Sequence, residues 1–219
     1  MNRFNPHRMP TARAKSFIIS FYIVGIVGFT APWTKVFFIA ITPFALLLST
    51  ALLALYHGPF QKRELVGFSL IFLLGFGIEA VGVNTGLIFG SYSYGLAMGY
   101  TLFRTPLLIG INWLFLSYCA TAIAERVTPK RGMQMVLAPT IMVVYDLLLE
   151  ALAPKMDMWH WEGALVPPKN YVAWWIIAFA FIYLIKALPI KCGNPLAPIL
   201  FICQFLFLAT LLLLYTLLA

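Results

Sequence analysis

Seven apolar stretches divide the chain, at residues 16–30, 36–56, 65–83, 106–124, 133–152, 171–188 and 196–218. Runs of roughly 18 to 25 apolar residues are long enough to cross a bilayer as helices, so the pattern predicts an all-α, polytopic membrane protein with about seven transmembrane helices. The punctuation fits: Thr105-Pro106 reads as a helix cap followed by proline at the first helical position, and Pro154 and Pro189 stand just past helix ends. Pro43 and Pro139 fall inside runs and are expected to kink them, because each removes an N–H and crowds the carbonyl one turn back.

Charge between the runs tests this arrangement independently, since Lys and Arg favour the cytoplasmic side. With a cytoplasmic amino terminus, Arg3, Arg8, Arg13, Lys15, Lys62, Arg63, Arg126, Lys130, Arg131, Lys186 and Lys191 lie inside, against Lys35, Arg104, Lys155 and Lys169 outside. The basic stretch before the first run also suits a signal peptide, but Gly28-Phe29-Thr30-Ala31 is a poor cleavage site. The reading is one integral membrane domain over residues 1–219, multi-pass in the inner cell membrane.

Composition narrows the function. Among 219 residues 62% are hydrophobic and 10% charged, which excludes a soluble globular enzyme and a disordered chain. Cys119, Cys192 and Cys203, an odd number in or beside apolar runs, imply no disulfide framework. The net charge of +8 is explained by the loops facing the lipid bilayer, so no nucleic-acid partner is expected.

Two outer connections stand apart. Residues 84–105, NTGLIFGSYSYGLAMGYTLFRT, are rich in glycine and tyrosine, and an eighth span there inverts the charge asymmetry. The expectation is therefore a segment lying at the interface or dipping part way in. Residues 154–170 carry Trp159, His160 and Trp161 together. The regions 65–113 and 133–175 share an order: a late helical acid (Glu79; Glu150), an aromatic-glycine patch, proline, then a helix opening with Asn and Trp. That is a weak internal duplication with unequal spacing.

Chemistry is sought first among Glu79, Asp146 and Glu150, because a carboxyl inside an apolar run is a functional-site hypothesis by default. Counted from the inner helix ends, all three sit about 20 to 26 Å up, in one layer. Asp146 and Glu150, four apart, share a helix face, and in low dielectric the two resist double ionisation, which leaves a proton for general-acid work. Asn84, Asn112 and Asn170 border the layer. The plainer reading makes these acids structural, with Arg104 as their counter-ion. Tyr92, Tyr94, Trp113, Tyr145, Trp159 and Trp161 are candidates to line a pocket and shelter a cation with their ring faces, although an interfacial belt accounts for any one of them, as for Trp174 and Trp175. His160 is alone, His7 and His57 lie at the inner surface, and no HExxH, CxxC, P-loop or dinucleotide fingerprint occurs, so neither a metal nor a cofactor is expected. Paired Asp-rich motifs are also missing, which argues against a prenyl diphosphate substrate.

The segments FGIEAVGVNTGLIFGSYSYG, TPLLIGINW, YDLLLEALAPKMDMWHWEG and PPKNYVAWW together resemble the membrane-integral carotenoid biosynthesis proteins, whose characterised members are carotenoid 1,2-hydratases of the bisanhydrobacterioruberin hydratase type. The likeness runs over about residues 65–175. His160 departs from the small-residue pattern that many members have between the two tryptophans. The resemblance implies hydration of the terminal ψ-end double bond of an acyclic or monocyclic carotenoid such as lycopene or γ-carotene, to a tertiary alcohol. It also implies association with other carotenoid-pathway membrane enzymes. On this reading Asp146 or Glu150 donates the proton and Glu79 handles the water, while Asn84, Asn112 and Asn170 hold water and acids in place. Two other classes use the same residues: a membrane carotenoid cyclase or isomerase that excludes water, and a non-enzymatic transporter or assembly protein with the acids as a relay.

Overall fold

The computed structural model describes residues 9–163 and 165–217; Arg3, His7 and Arg8 of the basic amino-terminal stretch, and position 218 at the end of the last run, lie outside them. Among the described residues eight α-helices carry the fold: α1 Thr11–Thr30, α2 Pro32–Ala40, α3 Thr42–His57, α4 Lys62–Thr85, α5 Leu108–Val127, α6 Arg131–Leu152, α7 Pro168–Ala187 and α8 Ala197–Leu217. Six are long and apolar enough to cross a membrane, and α2 with α3 makes a seventh if that pair is one span. The chain is an all-α, multi-pass membrane protein.

The run at 36–56 bends at Pro43, where the sequence places a kink, and the bend is sharp enough to divide it. It is broken between Ala40 and Thr42, and the two pieces bend by 57°. Pro43 has no N–H and its ring denies the carbonyl one turn back a place in a straight helix. At the break the Thr42 hydroxyl donates to the Phe38 carbonyl at 3.2 Å, giving one of the acceptors there a partner in an apolar setting. Pro139, by contrast, sits within a continuous α6.

α5 is the axis of the bundle. It contacts α3, α4, α6, α7 and α8, and where it meets α4 each helix contributes a glycine. A methyl group on Gly75 of α4 would meet the Trp113 Cβ at 2.9 Å, and one on Gly110 of α5 would meet the Phe72 carbonyl oxygen at 2.7 Å. The two backbones can approach only because both positions are glycine, the usual device where no hydrophobic force drives helices together in lipid.

Residues 84–105 contain no helical span. They fold into short strands, β1 Tyr92–Tyr94, β2 Thr101–Leu102 and β3 Thr105–Pro106, while β4 Trp159–Trp161 follows α6. α5 consequently starts at Leu108 and Thr105-Pro106 does not cap it, because these two residues pair with β2. Phe103 and Arg104 link β2 to β3 with φ of 52° and 62°, the left-handed values that a two-residue hairpin link demands. β1 pairs antiparallel with β4, with Tyr92 opposite Trp161, Ser93 opposite His160 and Tyr94 opposite Trp159. The two loops singled out in the sequence thus meet as one ribbon across one end of the bundle. Gly95 permits the meeting: its N–H donates to Met158 O at 2.8 Å, and a methyl group there would stand 2.2 Å from the Asp157 carbonyl oxygen.

At the far end, away from the three acids, the His57 side chain is only 4% exposed. Its Nδ1 is 2.7 Å from the Tyr118 hydroxyl and its Nε2 is 3.4 Å from Glu64, whose carboxylate also caps the first turn of α4. This cluster joins α3, α4 and α5 where the chain turns.

Candidate active site

Glu79 stands in the last two turns of α4, and Asp146 and Glu150 one turn apart on α6; the three are 4%, 0% and 5% exposed. A carboxyl taken out of water is tolerated only where donors meet it. Glu79 Oε2 accepts from the Tyr92 hydroxyl at 2.6 Å and the Tyr94 hydroxyl at 2.9 Å, and its Oε1 accepts from Trp113 Nε1 at 3.0 Å. Glu150 Oε2 accepts from Trp159 Nε1 at 2.9 Å and Trp161 Nε1 at 2.7 Å, and its Oε1 from Asn170 Nδ2 at 3.1 Å. The same Asn170 nitrogen donates to Asp146 Oδ2 at 3.1 Å. Asp146 Oδ1 is buried with no partner among the described residues.

Strand geometry explains why these donors converge. Alternate residues of a strand face the same way, and opposed residues of an antiparallel pair share a face, so Tyr92, Tyr94, Trp159 and Trp161 all turn toward the acids. Ser93 and His160 turn away, and His160 pairs instead with Asp157 at 3.2 Å. Burial, and then the neighbouring Glu79, push the Tyr92 and Tyr94 phenols above their ordinary range, which keeps both as proton-bearing donors.

Both halves of the site follow one scheme. Each acid near a helix end receives two aromatic donors spaced i and i+2 on the strand that follows, and a third donor from the opening turns of the next helix. Trp113 and Trp174, the tryptophans of those two helices, lie against each other with ring centres 4.2 Å apart.

Two hollows meet here. A small one of about 20 Å³, more polar than its neighbour, is walled by Glu79, Glu150, Asn112 and Asn170 and by the rings of Tyr92, Tyr94, Trp159 and Trp161. A larger, almost wholly apolar cavity of about 240 Å³ lies between α1, the α2–α3 break, α5, α6 and α8. Asn112 and Trp159 line both, so the two adjoin at these residues. Asn112 is buried and stands in the wall between the two.

Several candidates fall elsewhere. Asn84 is exposed, and its amide donates to the Ala80 and Phe103 carbonyls at 2.8 Å each, pinning the β2–β3 hairpin to α4 rather than facing the hollow. Tyr145 lines the apolar cavity and not the polar hollow. Asp146 lines neither. Arg104 is at the exposed hairpin link, and no ion pair among the described residues involves the three acids. Trp174, read from sequence as a belt residue, walls the polar hollow together with Phe89; its correspondence to Trp113 in the duplicated order was the signal for it. No group of three His, Cys, Asp or Glu side chains that could hold a metal forms among the described residues.

No curated protein and no solved structure matches the chain. A family model described as carotenoid biosynthesis protein matches residues 41–218, from the α2–α3 break through the ribbon and the three acids to the end of α8. With most of its length covered, the chain belongs to the carotenoid biosynthesis protein family.

Proposed function

We propose that the protein is a carotenoid hydratase that adds water to the terminal double bond of a ψ-end group, giving a 1-hydroxy carotenoid. One observation carries this reading: an apolar cavity adjoins, at Asn112 and Trp159, a polar hollow walled by two carboxyls. The hollow, about 20 Å³, has room for one water molecule, which needs roughly 10 to 15 Å³. The cavity, about 240 Å³, falls short of the roughly 300 to 1,000 Å³ that encloses a whole drug-sized ligand. It suits one end of a polyene whose remainder lies in lipid.

The chemistry follows from the placement. Asp146 and Glu150 are one turn apart and share Asn170, so two negative charges there oppose each other, and the pair carries a proton between them. Glu150, the member that faces the hollow, presents that proton to the less substituted alkene carbon. A tertiary cation results, and the faces of Tyr94, Trp159 and Trp161 stabilise it. Water in the hollow, oriented by Asn112, attacks the cation and yields a proton to Glu79; passage of that proton back to Glu150 resets the pair. Asp146 touches neither hollow and acts as a positioning residue through Asn170. The matching donor schemes of Glu79 and Glu150 support an internal duplication of 65–113 and 133–175 as the origin of the site.

Pigment analysis after co-expression with a lycopene pathway tests the reading. The expected product is heavier than lycopene by one water, whereas a cyclase gives a product of unchanged mass. Glu79→Gln and Glu150→Gln are expected to abolish it. Asp146→Asn is expected to lower turnover and move its pH profile with little change in KM. Full hydration activity in all three variants at normal expression overturns the proposal.

A further inference from the structure

Resting on the cavity assigned above to the polyene end, we propose that the substrate enters sideways from the bilayer, through a portal between α1 and the break that separates α2 from α3, and that Gly25 sets its width. Val24 is 59% exposed on the outside of α1 and yet lines the cavity, a combination found only at a mouth. Gly25 beside it, and Ile41 and Thr42 across from it, are cavity-lining and only partly buried. Counting along the helices at 1.5 Å per residue, Gly25 is about 21 Å and Thr42 about 22 Å from the far ends of α1 and α3, within the hydrocarbon depth and close to the level of Glu79. An opening at that depth faces acyl chains, so its occupant is a long apolar chain.

The frame of the mouth is fixed on three sides. Below it, the Tyr22 hydroxyl and Ser49 hydroxyl, 3.2 Å apart and buried, bolt α1 to α3. Above it, Thr34 of α2 donates to the Gly28 carbonyl at 2.8 Å, and a methyl group on Gly28 would overlap the Phe38 ring at 2.2 Å, so α1 and α2 are in close contact there. Behind Gly25 stands Phe207 of α8, whose ring would lie 3.1 Å from a methyl group at that position. A larger side chain at 25 starts against that ring, which itself lines the cavity, so bulk there crowds the cavity wall beside the opening. Between these contacts, the 57° bend carries α2 off the line of α3, and Ile41 and Thr42 at the break line the cavity.

The test adds bulk after folding. Val24→Cys is made with Cys203→Ala, since Cys119 and Cys192 are buried, and the protein is reconstituted in phosphatidylcholine–phosphatidylglycerol vesicles. It is then alkylated with a bulky maleimide. Val27→Cys, 62% exposed on the same helix but off the cavity, is the control. Lycopene uptake is followed by quenching of tryptophan fluorescence, to which Trp159 in the cavity wall contributes. Alkylated Val24→Cys is expected to take up lycopene about 10-fold more slowly than the unmodified protein, and alkylated Val27→Cys within about twofold of it. Gly25→Phe is expected to repeat the loss. Uptake at the unmodified rate by alkylated Val24→Cys, or no quenching in the unmodified protein, overturns the portal. Blocked uptake with no hydrated product in any arm leaves the portal standing and removes the hydratase reading; undiminished conversion behind the alkylated residue does the reverse.

Discussion

At the scale of single residues, the site is a matter of how buried carboxyls are supplied with donors. Tryptophan offers an N–H and no acceptor, so Trp159 and Trp161 can satisfy Glu150 without competing for its proton. Both bonds converge on one oxygen, and a hydrogen bond to a carboxyl that bears its proton is worth about 0.5 to 1.5 kcal/mol. Trp161→Phe keeps the ring and drops the bond, so its expected loss of stability in thermal unfolding is of that size, with reduced product. Trp159→Phe with Trp161→Phe leaves Glu150 Oε2 bare and is expected to lose product altogether in the pigment assay. Acids were legible in the sequence because charge is rare in apolar runs. Their partners were legible only as a set of aromatics: nothing in the chain tells Tyr145, which lines the cavity, from Tyr94, which donates to Glu79. Asn84 was misplaced for the same reason, since the Phe103 carbonyl that claims it comes from a hairpin whose link contains neither Gly nor Asn.

At the scale of elements, apolar length read the helices well and their terminations less well. α5 begins two residues after Pro106 because Thr105 and Pro106 find strand partners, a competition decided by residues across the hairpin. The β1–β4 ribbon depends on close approach at Gly95. Gly95→Val is therefore expected to part the two strands, with near-ultraviolet dichroism of the aromatic cluster lost while far-ultraviolet helix content stays. Gly110→Leu is expected to push α4 from α5 and cost about 1 to 3 kcal/mol by overpacking. Because α4 carries Glu79 and α5 carries Trp113, activity in that variant falls with the bond between them, measured as product per unit of protein.

At the scale of the whole molecule, α2 and α3 decide whether the chain crosses seven times. Reporter fusions to the two ends are expected on opposite sides of the membrane, with the amino terminus cytoplasmic; both ends on one side makes α2–α3 a re-entrant pair. The one-dimensional pattern settled by itself that the chain is a helical membrane protein, since each span's cost of leaving water is summed along contiguous residues, and it marked the three acids as exceptional for the same reason. Folding in three dimensions alone decided that two loops 60-odd residues apart pair as a ribbon, that four of its rings face the acids, and that an apolar cavity abuts a polar hollow. Those features depend on register and on distances between helices that are remote in the chain, and hydropathy, a local sum, carries no term for either.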